Sequence, residues 1–260
     1  MKNNLGIGTW KLNNYLCQKI VENALEIGYK FIDTGSIYKN EKYIGRAINK
    51  ININRSKYKI ISKINFKKYS IEESVKRSLD DLNTNYIDIL LIHWPIFKKN
   101  LNEDIKNLIR IKKQNLAKEI GISNFNSYLI RSIKKNLVKE LKYNQIEFHP
   151  FINQKKILKI KKLYKLETIA YCPFARGKIN NHSIIKKIAK QHGKNCNQII
   201  LKWISTKNII PIPGTSNLDH LKANFNIQDI NLSNKNLKDI SNLYKLNYRL
   251  VENLSKYKWY

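Results

Sequence analysis

Short apolar runs alternate with longer stretches in which apolar residues recur every three or four positions, and this alternation fills most of the chain. The runs at 29–33, 59–63, 87–93, 118–123, 142–146, 167–171 and 209–213 are continuous in apolar character, as in parallel strands covered on both faces. A weaker run surrounds Ile227. Between the runs, spacings such as Ile20, Ala24, Leu25 and Ile27, closed by Gly28, read as helices. Helices are predicted over 15–28, 41–48, 72–82, 102–113, 127–134, 154–163, 184–192, 197–205 and 218–224. With the run at Ile227 this makes about eight β/α units in 260 residues, which fits a (β/α)8 TIM barrel better than an open doubly wound sheet. No Pro/Gly/Ser-rich linker divides the chain, so one domain over 1–260 is expected. The glycines of Leu5-Gly6-Ile7-Gly8-Thr9-Trp10 fit no dinucleotide fingerprint. Residues 246–260 lack periodicity and end in Tyr257-Lys258-Trp259-Tyr260, an aromatic tail that either folds over a pocket or frays.

In such a barrel the chemistry sits at the carboxyl ends of the strands. The run at 29–33 ends in Asp33, and its loop carries Tyr38. The next two runs deliver Lys63 and then His93-Trp94-Pro95. Taken singly, each has a structural reading: a strand-capping Asp, a packing Tyr, a solvated Lys, a satisfied core His. Together they make a proton-donor site. A buried carboxylate needs a cation, and Lys63 at the end of an apolar strand would point at Asp33. A free tyrosine, with a pKa of about 10, is a poor acid near neutrality, and a neighbouring ammonium would lower that value. A neutral His93 can hold a substrate oxygen in line. The following strand ends carry Ser123-Asn124, Gln145 and Tyr171. The first three suit hydrogen bonding to a flat carboxamide, and Tyr171 offers an aromatic face. A stackable ring bearing a carboxamide suggests nicotinamide, and hydride with a proton donor gives carbonyl reduction.

Charge changes this picture little. Lys and Arg number 49 against 19 Asp and Glu, for a formal net charge of +30. The lysines are spread along the chain with Ile and Asn, as in a general composition bias, and no basic patch is interleaved with aromatics. Nucleic-acid binding is therefore the weaker expectation, although a basic surface attracts an anionic cofactor. Cys17, Cys172 and Cys196 are odd in number and form no CxxC pair, which argues against a disulfide framework or a zinc site. No signal peptide and no apolar run long enough to cross a bilayer is seen, so a soluble cytoplasmic protein without a metal is expected.

The motifs Ile32-Asp33-Thr34 with Tyr38-Lys39-Asn40-Glu41, Ser62-Lys63, Leu91-Ile92-His93-Trp94-Pro95, Gly121-Ile122-Ser123-Asn124-Phe125, Asn144-Gln145-Ile146-Glu147 and Ala170-Tyr171-Cys172-Pro173 occur in that order. In them the chain resembles the aldo-keto reductase family over nearly its whole length. Within that family it most resembles the bacterial 2,5-diketo-D-gluconate reductase B and methylglyoxal reductase group, a placement that Asn247-Tyr248-Arg249-Leu250-Val251 supports. The resemblance implies that Tyr38 is the general acid, Asp33 and Lys63 its tuning pair, and His93 the substrate-orienting group. It also implies that Ser123, Asn124 and Gln145 hold the nicotinamide carboxamide under a stacking Tyr171, and that Trp10 and Trp94 meet the substrate. The turn through Gly214, Thr215, Ser216 and Asn217, with His220 and Asn224, would meet the adenosine phosphate through backbone N–H groups.

The implied cofactor is NADPH, with NADH as the alternative. The implied substrates are small aldehydes and ketones such as methylglyoxal or diketo sugar acids, and the implied state is a monomer. Two departures stand out. Gly214 and His220 occupy positions where the family often has Lys and Arg, and the usual leading β-hairpin is shortened or absent. The other reading is a non-catalytic cofactor-binding or structural/regulatory member of the same fold, against which the intact set of Asp33, Tyr38, Lys63 and His93 argues.

Overall fold

The computed structural model describes residues 4–64, 69–96 and 100–251. The aromatic tail from 252 onward lies outside them. Eight parallel strands stand side by side in chain order. They are β1 (Gly6–Gly8), β2 (Phe31–Asp33), β3 (Lys59–Ile64), β4 (Ile87–Ile92), β5 (Ala117–Ser123), β6 (Tyr143–Glu147), β7 (Glu167–Tyr171) and β8 (Ile209–Pro211). The surrounding helices are α1 (Asn14–Ile27), α2 (Glu41–Lys50), α3 (Ile71–Leu82), α4 (Leu101–Lys113), α5 (Ser127–Ser132), α6 (Lys135–Val138), α7 (Lys155–Tyr164), α8 (Ser183–Gln191), α9 (Cys196–Ser205), α10 (Leu218–Phe225) and α11 (Asn234–Asn242). The (β/α)8 barrel expected from the periodicity is therefore present.

The continuous apolar runs follow from two separate cores. Phe31, Ile61, Ile89, Leu91, Tyr143, Ile169, Ile210 and Ile212 fill the inside of the barrel. Ile32, Ile60, Leu90, Ile120, Ile122 and Ile146 belong to the larger core that also takes in the helices. Side chains alternate across a strand. Two residues beyond the inner layer, the same parity therefore delivers Asp33 after Phe31, Lys63 after Ile61, His93 after Leu91, Gln145 after Tyr143 and Tyr171 after Ile169. The polar set is the next layer up inside the barrel.

Three expectations are corrected. The strand that completes the set of eight is Gly6–Gly8, not a run near Ile227. Gly8 donates to Pro213 O at 3.0 Å and bridges to Gly214, which draws the two ends of the sheet together. Only glycine permits this approach: a Cβ on Gly6 would lie 2.7 Å from Ile212 Cγ2, and one on Gly8 would lie 2.9 Å from the Ile212 carbonyl oxygen. Ile227 is instead buried in a turn after α10, donating to Phe225 O and accepting from Ile230 N–H. Second, the helix expected at 127–134 ends at Ser132, and a separate short helix, α6, follows it. Ile133 is extended and Lys134 is not helical, and Lys134 N–H is held by Asn102 Oδ1 at 3.1 Å. Third, α11 is a helix that the apolar spacing does not signal; its described buried residue is Ile240, and Ser233 caps it through Asn236 N–H. Among the described residues no strand precedes Gly6, and no helix is long and apolar enough to cross a membrane.

Because the contact at Gly8 is to backbone, Gly8→Ala should cost about 1–3 kcal/mol, as overpacking of a fixed site does. Urea denaturation checks this, and an unchanged midpoint would contradict the closure described.

Candidate active site

Lys63 is buried, and its ammonium is saturated by acceptors. Nζ lies 2.8 and 2.7 Å from the two oxygens of Asp33, 2.7 Å from Thr34 O and 3.2 Å from Tyr38 Oη. Asp33 accepts a further bond from Gln145 Nε2 at 2.6 Å. Burial alone pushes the Asp33 carboxyl up and the Lys63 ammonium down, toward their neutral forms. Their mutual attraction and hydrogen bonds oppose both shifts. Tyr38 reaches the pair from a single-turn helix, Ser36–Tyr38, in the β2 loop. Its ring lies edge-on to His93, with centroids 5.8 Å apart at 73°. Four residues that the sequence places on separate strand ends and one loop thus meet at one point.

The electrostatics differ from the sequence expectation in one respect. Burial first, and the charge of Asp33 second, push the Tyr38 phenol well above its ordinary value. The net direction is upward although the Lys63 ammonium lies 3.2 Å from the phenol oxygen. Tyr38 is therefore a fully loaded proton donor. Since Lys63 can only donate, it donates to Tyr38 Oη, which leaves the phenolic hydrogen free to point elsewhere. His93 is buried, and burial followed by the charge of Lys63 pushes its imidazole down to about 3. It is neutral, and its Nδ1 is buried without a hydrogen-bond partner.

The amide rim lies beside this cluster. Asn124 sits at φ 65°, the left-handed region that Asn tolerates better than most residues. That turn lets its Nδ2 donate to His93 O at 3.0 Å and to Ser123 Oγ at 3.2 Å, while its Oδ1 accepts from Tyr171 Oη at 2.6 Å. Ser123 Oγ donates to Gln145 O at 3.1 Å. Trp94 is buried after β4, whereas Trp10 after β1 is 53% exposed, with Lys11 Nζ 5.0 Å from its ring centre.

The remaining expected residues form a separate cluster at the end of β8. Gly214, Ser216, Asn217 and His220 are exposed, and Asn224 is buried. Asn217 caps α10: its Oδ1 accepts from Asp219 N–H at 2.7 Å and His220 N–H at 3.0 Å. Thr215 Oγ1 accepts from Asn217 N–H at 3.1 Å. Several N–H groups expected to be open for an anion are thus already engaged, and Asp219 adds a negative charge to the first turn.

Two supporting residues carry no signal of their own in the sequence beyond membership of a motif. Asn40 Nδ2 donates to Thr9 O at 2.8 Å and Leu12 O at 3.0 Å, and Asn40 Oδ1 accepts from Thr34 Oγ1 at 2.9 Å. It ties the Trp10 loop to the end of β2. Glu41 is buried on the outer side of β3, accepting from Ser62 Oγ at 2.5 Å and Ser78 Oγ at 2.9 Å; burial pushes its carboxyl up to about 6.

Two expected outcomes test this geometry. Lys63→Met leaves Asp33 buried without its cation and should destabilise the fold by about 3–5 kcal/mol; Asp33→Asn in the same chain should recover much of that in a double-mutant cycle. His93 has a folded pKa of about 3, below its unfolded value of about 6.5. Between these the unfolded state binds the additional proton, so this residue's contribution to stability falls as pH drops, by about 1.4 kcal/mol per pH unit. Glu41 acts in the opposite direction, so the comparison must be between variants. From pH 7 to pH 4.5, His93→Gln should lose roughly 2–3 kcal/mol less stability than the parent chain. Equal losses would refute a buried neutral imidazole.

Comparison with known proteins agrees with this geometry. The model of the Aldo/keto reductase family matches residues 4–245. The chain is 34% identical to methylglyoxal reductase DkgB of Escherichia coli O157:H7, covering 95% of this chain and 94% of that protein. It is 32% identical to methylglyoxal reductase DkgA of Escherichia coli K12, covering 92% and 88%. Among solved structures, an aldo/keto reductase from Brucella melitensis superposes with a TM-score of 0.87 at 33% identity, covering 92% of this chain and 93% of that one. An aldo-keto reductase from a Medee basin deep-sea metagenome library superposes with a TM-score of 0.92 at 27% identity, covering 98% and 96%. With its barrel, its buried lysine–aspartate pair and these relatives over nearly the full length, the chain belongs to the aldo/keto reductase family.

Proposed function

We propose that the protein reduces small aldehydes and ketones with a reduced nicotinamide cofactor, Tyr38 being the general acid. One observation carries the proposal: Lys63 Nζ, held by both oxygens of Asp33, lies 3.2 Å from Tyr38 Oη, and His93 is edge-on to the same ring. A carbonyl oxygen placed before Tyr38 would accept the free phenolic hydrogen and an N–H of the neutral His93. The reduced nicotinamide, when bound, supplies hydride to the carbonyl carbon. As charge builds on the carbonyl oxygen, the proton of Tyr38 Oη passes to it, and Lys63 donates more strongly to the phenolate left behind. Asp33 keeps the ammonium in place, and burial keeps water from it.

The residues present fit such a cofactor. The half-buried Tyr171 ring, the Asn124 and Gln145 amides and the Ser123 hydroxyl adjoin the donor cluster. These groups are proposed to hold the carboxamide, with Tyr171 against the ring. The β8 cluster, Gly214 to Asn224, is proposed to meet the adenosine end. NADPH is favoured by the chain's formal charge of +30. The α10 turn, with its engaged N–H groups, Asp219 and no arginine, offers weak discrimination against NADH. Methylglyoxal is the first substrate to test, because the relatives DkgA and DkgB carry its name. Acidic sugar carbonyls suit the basic surface.

Cofactor absorbance with methylglyoxal, followed with NADPH and NADH side by side, tests the reading. Tyr38→Phe should lower kcat by about 10²–10⁴-fold, with cofactor affinity within about twofold of the parent. Turnover retained in that variant would remove Tyr38 as the acid. Cofactor binding without turnover on any carbonyl would favour a non-catalytic member.

A further inference from the structure

Tyr38 and the ammonium it meets come from separate elements. Lys63 is fixed by the sheet, in register with Leu91 of β4. Tyr38 stands in the loop between β2 and α2, in the single turn Ser36–Tyr38. This loop runs close to β3: a Cβ on Gly35 would lie 3.3 Å from Lys63 Cβ. Two side-chain bonds tie it to consecutive residues of that strand. Ser36 Oγ donates to Lys63 O at 3.1 Å, and Ser62 Oγ donates to Glu41 Oε1 at 2.5 Å. The two ties flank Tyr38 in the chain, one before it and one after it.

Glu41 is the first residue of α2 and is buried, and the proton-donor chemistry makes no use of it. Its described partners are two buried hydroxyls, that of Ser62 and, at 2.9 Å, that of Ser78 on α3. A buried carboxylate held by two hydroxyls is costly, and the opening of a helix, where negative charge is favourable, offsets part of that cost. Packing alone would be served as well by an apolar side chain. The two hydroxyls are not equivalent. α2 is already docked closely on α3, because a Cβ on Gly45 would lie 2.6 Å from Asp81 O. The Ser78 bond therefore joins elements that packing has already fixed. Ser62 faces the outer core, and the next residue of the strand, facing inward, is Lys63. We propose that Glu41 is a positioning residue: by binding Ser62 it holds the far end of the Tyr38 loop on β3, and so sets the contact between Tyr38 Oη and Lys63 Nζ. Its effect on turnover rests on the reductase reading above.

Two serine variants of the full chain, each removing one hydroxyl from the same carboxylate, test this. The NMR resonance of Tyr38 Cζ, assigned by its absence in Tyr38→Phe, reports the surroundings of the phenol without any turnover. It should shift in Ser62→Ala and keep its parent position in Ser78→Ala. With methylglyoxal and NADPH, Ser62→Ala should lower kcat about 10–100-fold, as a misplaced reacting group does, with KM within about threefold of the parent. Ser78→Ala should keep kcat within about twofold. Glu41→Gln should stay near the parent in both readouts, because a serine hydroxyl can bond either end of an amide. An unshifted resonance in Ser62→Ala would overturn the positioning. Equal losses of kcat in the two serine variants would do the same, since a merely structural carboxylate predicts them. A loss in Glu41→Gln as large as that in Ser62→Ala would make the charge, not the bond, the active feature and would also overturn it. A parent chain without turnover on any carbonyl would sink the reductase reading, and the resonance comparison would still judge the positioning. If Ser62→Ala does not fold, Glu41→Gln combined with Ser62→Ala, which buries no charge there, is compared with Glu41→Gln by the same two measurements.

Discussion

An ammonium and a carboxylate inside a barrel of isoleucines are tolerated only in contact. Lys63 and Asp33 stand one layer above Ile61 and Phe31, and burial pulls each toward its neutral form. What holds both charged is the bidentate contact together with Gln145 and Thr34 O. Replacing either partner leaves the other buried and uncompensated, a far larger penalty than the net gain from the pair. The pair is thus weak evidence for stability and strong evidence for a task. The three N–H groups of the ammonium are shared among four acceptors, the fourth being Tyr38 Oη.

The rest of the rim is arranged to leave that contact undisturbed. Asn40 pins the β1 loop to the β2 end, so the Trp10 side of the mouth is fixed by side-chain bonds to backbone. On the other side, left-handed backbone at Asn124 and Cys172 turns the chain sharply off β5 and β7. Such conformations cost free energy and persist where the surroundings demand them. At Asn124 the demand is visible: its amide bonds His93 O, Ser123 and Tyr171 at once. At the end of β6, the buried Glu147 carboxylate accepts hydrogen bonds from residues 249–251. The mouth is therefore set by buried polar groups whose partners come from elsewhere in the chain.

Continuous apolar runs made much of the barrel legible, because a strand covered on both faces is apolar at every position. The ends of those runs also carried Asp33, Lys63, His93, Gln145 and Tyr171. Legibility failed where a strand has almost no side chains. Gly6-Ile7-Gly8 lacks an apolar run because its neighbours leave no room for one, so the signal of its role is the absence of Cβ atoms. Ile227 misled for the converse reason: it is buried like a strand residue but in a turn. α11 was hidden because the structure buries only Ile240 along it.

What the sequence by itself determined is the set of chemical groups and the strand end that carries each, since both follow from residue type and the position of the apolar runs. Only the tertiary structure decided how those groups affect one another. Whether the Tyr38 phenol is pushed up or down depends on its burial and on how near Asp33 stands, neither of which the linear sequence gives. Whether the opening of α10 is free for an anion depends on the rotamer of Asn217. Whether the buried Glu147 carboxylate is paired depends on a segment about a hundred residues downstream. Electrostatic interactions and hydrogen bonds act through space at short range, and distance in space is what the linear order of residues leaves open.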